Sequence, residues 1–322
     1  MVKRTDLKLM QNADQPTKGT IFYIIMTVLK SVALLCTGLL YARNPTIGPF
    51  QLLIMPCLFG IAIQMIELNI GLKKAVWDGI NKTNVAPLIM RTCQGVISNL
   101  ISTAVTKAIP LTIIGVVNNL APVIVVIAAF FILKERLKVF EIVTIVLTIC
   151  CVIVIVVGGD AGSGDDTDET VSHSMFIVLY VLLFVNPFLS AGGVILMRKM
   201  KKFNVAVVTW YLNWAICIVS IIIVAALRSG FQYLKEYDWQ SWVIAICCGA
   251  AYVATSKCGF VALKYQQAAK LQKLAPLSTL WQFFFDVFVF GKVYTTTQYC
   301  GLGVLFLIYI LQGVKFVVYD LP

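Results

Sequence analysis

Charged residues are scarce in this sequence. Only 13% of its 322 residues are Asp, Glu, Lys or Arg, whereas a typical soluble domain contains about 25%. Apolar residues make up 60% of the chain, and its mean hydropathy is +0.89. A soluble protein of this length needs much more polar surface. The composition therefore excludes that class and predicts an integral membrane protein.

Histidine is almost absent, and acidic residues are few. The single histidine, His173, lies in a polar stretch, which argues against a metal or acid–base centre built on histidine. The 26 basic residues outnumber the 15 acidic ones, but they lie mainly in short segments between apolar runs. A nucleic-acid-binding surface would gather them in one patch. We therefore expect no nucleic-acid partner, no metal, no cofactor and no catalytic residues, and we expect a protein that is not an enzyme.

Cysteine is plentiful, yet it follows no pattern of metal ligands or disulfides. All ten cysteines fall in or at the ends of apolar runs, where cysteine behaves as a small apolar residue. The adjacent pairs Cys150-Cys151 and Cys247-Cys248 would point their side chains apart on a helix. The cysteines therefore predict neither a metal site nor a disulfide framework.

Ten apolar runs are long enough to cross a bilayer. A transmembrane helix needs about 20 apolar residues to span ~30 Å of hydrocarbon. The β-branched residues in these runs do not indicate strands, because an open sheet would leave unsatisfied edges in lipid. Short segments connect the runs, so one helical bundle is predicted. The runs are 20–41, 47–71, 85–106, 111–133, 139–158, 174–197, 204–227, 239–262, 267–290 and 297–317.

The basic residues between the runs are distributed unevenly across the membrane. With ten spans, 16 Lys and Arg residues fall on the side of the N-terminus and five fall on the other side. The positive-inside rule then places both termini on the cytoplasmic side, or on the stromal or matrix side in an organelle. The acidic stretch 159–173 falls on the opposite side. We expect a polar tail over 1–19 and a short C-terminal tail over 318–322.

The acidic, glycine-rich stretch 159–173 divides the chain into two halves of five spans each. The halves cover 20–158 and 174–317. Because five is odd, the second half is inverted relative to the first. The predicted fold is therefore an all-α polytopic membrane protein, with ten transmembrane helices arranged as two inverted five-helix repeats. In transporters with this arrangement the substrate site lies near the midplane, between the repeats.

The sequence Leu-Ala-Pro occurs in the fourth span of each half. Pro122 and Pro276 each remove a helical hydrogen bond to the carbonyl four residues earlier. Irregular backbone at membrane depth is tolerated where protein buries it or where it lines a wet cavity. Simple helix kinks are the alternative, and the matched positions favour a cavity. The polar residues beside the two prolines are Asn118, Asn119, Gln272 and Lys273.

These two segments resemble the drug/metabolite transporter superfamily, of the EamA-like kind. The first reads LAPVIVVIAAFFILKERLKVFEIVTIVLTICCVIVIVVGG over 120–159, and the second reads LAPLSTLWQFFFDVFVFGKVYTTTQYCGLGVLFLIYIL over 274–311. Glu135 matches the acidic residue of the family's turn, whereas Lys292 stands where an acid is usual. The resemblance covers about 20–317. It implies ten spans in two inverted repeats and transport of a small solute or metabolite.

Several ionisable residues fall inside the predicted spans. Lys30 lies about eleven residues from either end of its span, ~16 Å from the headgroups, and charges at this depth usually face the protein interior. Arg91 is expected to be an interfacial anchor. Glu67 and Asp286 are predicted to pair with a cation, to carry a coupling proton or to hydrogen-bond a backbone group. The residues predicted to bind a solute are Lys30, Asn118, Asn119, Lys257, Gln272 and Lys273.

The predicted interior contains more positive than negative charge. The sequence therefore favours a secondary transporter of a small, anionic organic solute that works by alternating access. The expected partners are this solute, the lipid bilayer and either a second copy of the chain or other membrane subunits. A transporter-like structural subunit of a larger membrane complex, without transport activity, is the alternative hypothesis.

Overall fold

Helices occupy all ten predicted spans within the described part of the chain. The computed structural model describes residues 16–68, 82–133, 139–160, 173–200, 204–228, 235, 237–265, 271, 274–275 and 277–315, and these ranges contain no strand. The fourth span consists of two segments, α4a and α4b. The all-α prediction is therefore confirmed. The helices are α1 (Pro16–Arg43), α2 (Pro49–Leu68), α3 (Lys82–Thr106), α4a (Leu111–Asn118), α4b (Leu120–Leu133), α5 (Val139–Asp160), α6 (His173–Lys199), α7 (Val205–Ala226), α8 (Trp239–Tyr265), α9 (Leu277–Phe288) and α10 (Thr296–Lys315).

The ninth span differs most from its prediction. It was expected over 267–290, but α9 begins at Leu277, and Leu274 and Ala275 form a turn before it. The residue before Leu277 is Pro276, which lies outside the described residues. A proline at the start of a helix ends any helix before it, because it has no N–H group and disfavours the helical conformation of its predecessor.

The fourth span is interrupted close to its proline. The interruption is at Asn119, whose backbone N–H contacts the carbonyls of Gly115 and Val116 at 3.0 and 3.2 Å. Pro122 follows three residues later, in the first turn of α4b. A proline is tolerated there because the first turn needs no internal N–H donor. The fourth span therefore runs as two short helices joined at Asn119.

The two halves pack against each other in matching pairs. Helix α1 packs along α8, and α6, which is the equivalent of α1, packs along α3, which is the equivalent of α8. The equivalent helices α2 and α7 pack together, as do α4a and α9, and α5 and α10. Each of these contacts between the halves therefore has an equivalent contact, or is a contact between two equivalent helices. This pairing is the arrangement expected of inverted repeats.

The outer surface of the bundle is apolar. Five helices in the described ranges, α1, α2, α6, α7 and α8, are long and apolar enough to cross a membrane. Large apolar side chains such as Ile66, Phe188 and Phe288 are well exposed on the surface, where lipid would cover them.

The helices α2 and α8 approach closely at a glycine. A Cβ atom added to Gly249 of α8 would lie 2.4 Å from the backbone oxygen of Pro56 in α2. No side chain fits in this space. The glycine therefore sets the distance between one helix of each repeat.

Candidate functional site

A cavity of about 280 Å³ lies between the two repeats. On α1 its lining residues run from Tyr23 to Leu34, and on α8 they run from Tyr252 to Leu263. Helix α8 runs opposite to α1, so its later residues lie beside the beginning of α1. The cavity therefore extends from the middle of the bundle toward the side where α1 begins. Residues of α3, α4a, α4b, α6, α7 and α9 complete the lining.

Two cationic side chains line this cavity. Lys30 comes from α1 and Arg91 comes from α3. These helices run in the same direction, and the Tyr41 hydroxyl of α1 donates to the Thr103 carbonyl of α3. Lys30 precedes Tyr41 by eleven residues and Arg91 precedes Thr103 by twelve, distances of ~16 and ~18 Å along the helices. The two cations therefore lie at similar depth.

Neither cation has an acidic partner among the described residues. No described carboxylate lines the cavity, and the ion pair in the described ranges, Arg43–Asp238, lies at the other end of the bundle. Lys30 makes no hydrogen bond within the described part of the chain. Arg91 donates one Nη1–H to Gln94, and its buried Nε has no partner among the described residues. Within the described lining, the positive charge of the cavity is therefore uncompensated.

Amide and hydroxyl groups form a network on another wall of the cavity. The Ser98 hydroxyl donates to Oδ1 of Asn186 at 2.6 Å. The Asn186 Nδ2 group donates to Oδ1 of Asn118 at 3.0 Å and contacts the Ser102 hydroxyl at 3.3 Å. These bonds join α3 and α4a of the first repeat to α6 of the second. Both hydrogens of this amide are directed to neighbours, so Asn186 is fixed in orientation.

A second bond ties the interruption of the fourth span to the other repeat. The Asn119 side chain, between α4a and α4b, donates to the Thr279 hydroxyl of α9 at 2.7 Å. Asn118, at the end of α4a, and Asn119, at the interruption, thus contact different helices of the second repeat, α6 and α9. The polar residues at the break hold the two repeats together beside the cavity.

The structure brings together four of the residues singled out in the sequence. Lys30, Asn118, Asn119 and Pro122 all line the cavity. Lys257 is half-buried on α8 and is not among the lining residues. Gln272, Lys273 and Pro276 lie outside the described residues, and so does the side chain of Glu67. Asp286 is buried at the far end of α9, where backbone N–H and hydroxyl groups contact it.

The prediction for Arg91 was wrong. Its side chain lines the cavity, whereas an interfacial anchor would point to the headgroups. A signal for this was present in the sequence, because polar residues recur on α3 at the three- and four-residue spacing of one helix face. The polar residues of α3 that line the cavity are Arg91, Gln94, Ser98, Asn99 and Ser102.

We expect Asn186→Ala to lower the free energy of unfolding by about 1 kcal/mol. The change removes the acceptor of Ser98 and the donor to Asn118, and cavity water would replace part of both bonds. Ser190→Ala is the control, since Ser190 lies one turn further along α6 and makes no hydrogen bond within the described ranges. Equal stability of the two variants in denaturant titration would contradict a structural role for this network.

Residues 17–157 match the model of the EamA-like transporter family. In these residues the chain is EamA-like. They cover the first repeat, so the drug/metabolite transporter resemblance of the Leu-Ala-Pro segments is confirmed there. Proteins of that family are drug/metabolite-type membrane transporters, and the likeness of this chain to them lies in its first repeat.

One crystal structure of a protein is similar in fold to this chain over both repeats. It is 14% identical, covers 92% of this chain and 97% of its own, and superposes with a TM-score of 0.66. At this identity the likeness shows the fold alone. No curated protein matches the chain.

Proposed function

We propose that this chain is a secondary transporter of a small anionic organic solute, working by alternating access. The observation that carries the proposal is the cavity between the repeats, lined by Lys30 and Arg91 and by no described carboxylate. A buried charge without a partner destabilises a protein by several kcal/mol. An anion bound between the two cations would relieve that cost in the membrane interior.

The two cations suit different parts of an anion. The guanidinium of Arg91 is a planar fork that matches carboxylate or phosphate oxygens, whereas the ammonium of Lys30 is a compact point charge. In this proposal Asn118, which lines the same cavity, adds an amide group. In this proposal Gln272 and Lys273 add donors from the second repeat, beside Pro276. Lys257 would draw anions toward the cavity from α8.

The size of the cavity favours a small solute. Its volume of about 280 Å³ lies at the lower end of the roughly 300–1,000 Å³ of small-molecule sites. Carboxylic acids and simple phosphate esters are of this size. A nucleotide sugar would need a much larger space, so we expect it not to bind in this conformation.

A thermal-shift screen of the purified protein tests the proposal. The panel pairs each small organic anion with a neutral analogue of the same shape, such as its amide or methyl ester, and includes a nucleotide sugar. A ligand at 100 times its Kd stabilises the folded state by about 2.7 kcal/mol. We expect stabilisation by a small anion and none by its neutral analogue. Stabilisation by neutral or cationic compounds alone would overturn the anion assignment.

If the protein binds none of these compounds, the result would favour the alternative hypothesis of a transporter-like structural subunit without transport activity. If it also co-purified with defined membrane partners, a structural subunit would explain the fold better than a carrier. The cavity residues would then be expected to tolerate substitution without loss of assembly.

A further inference from the structure

Asp286 holds a buried contact between the repeats at the end of the bundle opposite to the cavity. Its side chain is only 2% exposed. One carboxylate oxygen accepts from the Thr112 N–H and the Thr112 hydroxyl, both at 2.6 Å, and from the Tyr294 hydroxyl at 2.7 Å. The other oxygen lies 3.3 Å from the N–H of Leu111. Four donors thus surround one carboxylate.

This contact joins the start of α4a in the first repeat to α9 in the second. The first N–H groups of a helix have no partner within the helix, and the helix dipole favours a negative charge beside them. Asp286 supplies both the acceptors and the charge. Separating α9 from α4a would leave a buried carboxylate and several N–H groups without partners, which is costly.

Other polar contacts between the repeats lie at the same end. Arg43 at the end of α1 is 3.1 Å from Asp238, just before α8, and Asn44 donates to the Ser241 hydroxyl at 3.2 Å. The Ser241 hydroxyl and N–H, followed by Arg43, hold the pKa of Asp238 below its ordinary value. This carboxylate therefore stays ionised, and the ion pair stays formed, until the pH falls below the usual range of an aspartate.

We infer that Asp286 and the Thr112 end of α4a form a latch that closes the transporter on the side opposite to the N-terminus. The inference rests on the proposed function, because alternating access requires this end to open in every cycle. The cavity lies on the N-terminal side of the midplane, and the latch lies beyond it. Asp286 is a positioning residue: it sets which side is open and does not touch the solute.

The latch has no counterpart at the equivalent position of the first repeat. Asp286 follows Pro276 by ten residues, and the residue ten positions after Pro122 is Ile132. An isoleucine cannot accept hydrogen bonds from a helix start. At this register the first repeat therefore cannot form the same contact.

Hydrogen–deuterium exchange of the full-length protein in lipid nanodiscs tests the latch, with no solute needed. The test variant is Asp286→Asn, which keeps the shape but replaces one acceptor oxygen by a donor. We expect exchange in 37–44 and 111–118 to rise about tenfold or more, as expected from loss of charged hydrogen bonds. Exchange in 91–102 and 190–197, beside the cavity, should fall, because opening one side closes the other.

If Asp286→Asn fails to fold, a matched pair of threonine variants tests the same change in exchange at the two ends of the bundle. Thr112→Val removes one hydroxyl donor to Asp286 and should give the same pattern more weakly. Thr106→Val is the control, because the Thr106 hydroxyl donates only within α3, to the carbonyl of Ser102. It should leave both regions unchanged.

A latch is identified by faster exchange at the Asp286 end of the bundle together with slower exchange beside the cavity. Faster exchange in both regions would mean that Asp286 only stabilises the fold, and unchanged exchange in both would mean that this contact does not hold the end closed. Either result overturns the inference. The exchange experiment needs no solute, so its outcome does not depend on whether the solute is charged. A result that rejects the latch is therefore distinct from a thermal-shift result that rejects the anion assignment.

Discussion

Lys30→Gln will lower kcat/KM for uptake of the stabilising anion into proteoliposomes by at least about 30-fold, because truncating one partner of a buried charge pair costs about 2 kcal/mol or more. Lys30 lies deep in α1, lines the cavity and has no acidic partner among the described residues. Glutamine keeps most of the side chain's length and its ability to donate. The expected fall in kcat/KM therefore measures the effect of the positive charge of Lys30 and not the effect of its side-chain shape.

Lys264→Gln is the matched control for this experiment. Lys264 also lies on a helix of the bundle, in the last turn of α8, but it is exposed and does not line the cavity. We expect its uptake kinetics to match those of the parent protein. Both variants should elute from size exclusion as the folded protein does. If the two lysine variants transport equally well, Lys30 does not bind the solute.

Gly249→Val will destabilise the folded protein by about 3 kcal/mol or more, at the upper end of the cost of overpacking. A Cβ at this position would lie 2.4 Å from the Pro56 backbone oxygen and 3.1 Å from the Phe59 Cβ. Backbone cannot rotate away as a long side chain can. Helices α2 and α8 must therefore separate, and the contact between one helix of each repeat is lost.

Gly303→Val serves as the control for the glycine experiment. Gly303 lies on α10, is exposed, and has nothing within 4 Å of its added Cβ. The two changes add the same atoms to a transmembrane helix, so thermal unfolding in detergent isolates the effect of crowding. Similar melting temperatures for both variants would show that α2 and α8 are not in close contact.

Most of the fold follows from the sequence, because hydrophobic length and charge bias are strong signals in a membrane protein. For nine of the ten predicted spans, with α4a and α4b taken together, the described helix bounds lie within four residues of those predicted. The ninth span is the exception, because apolar composition does not mark the turn at Leu274 and Ala275 that precedes α9. Apart from Leu271 and these two residues, 267–276 lies outside the described part of the chain.

The site was less predictable than the fold. Lys30 could be found because its depth leaves it no route to the headgroups. Arg91 lies nearer the end of α3, where depth alone does not separate an anchor from a cavity residue. The polar stripe along α3 would have decided between them. The partners of Asp286 could not be predicted, since α4a lies 175 residues away and only the packing of the repeats brings it near.

In the transport cycle proposed above, the cations of the cavity would also determine how the membrane voltage acts on this protein. Moving one elementary charge across the full potential is worth about 2.3 kcal/mol per 100 mV. With the cavity empty, Lys30 and Arg91 present their full charge to the field as access switches sides. A bound anion cancels part of this charge, so the loaded protein changes sides with less electrical work. Voltage would then govern chiefly the return of the empty carrier.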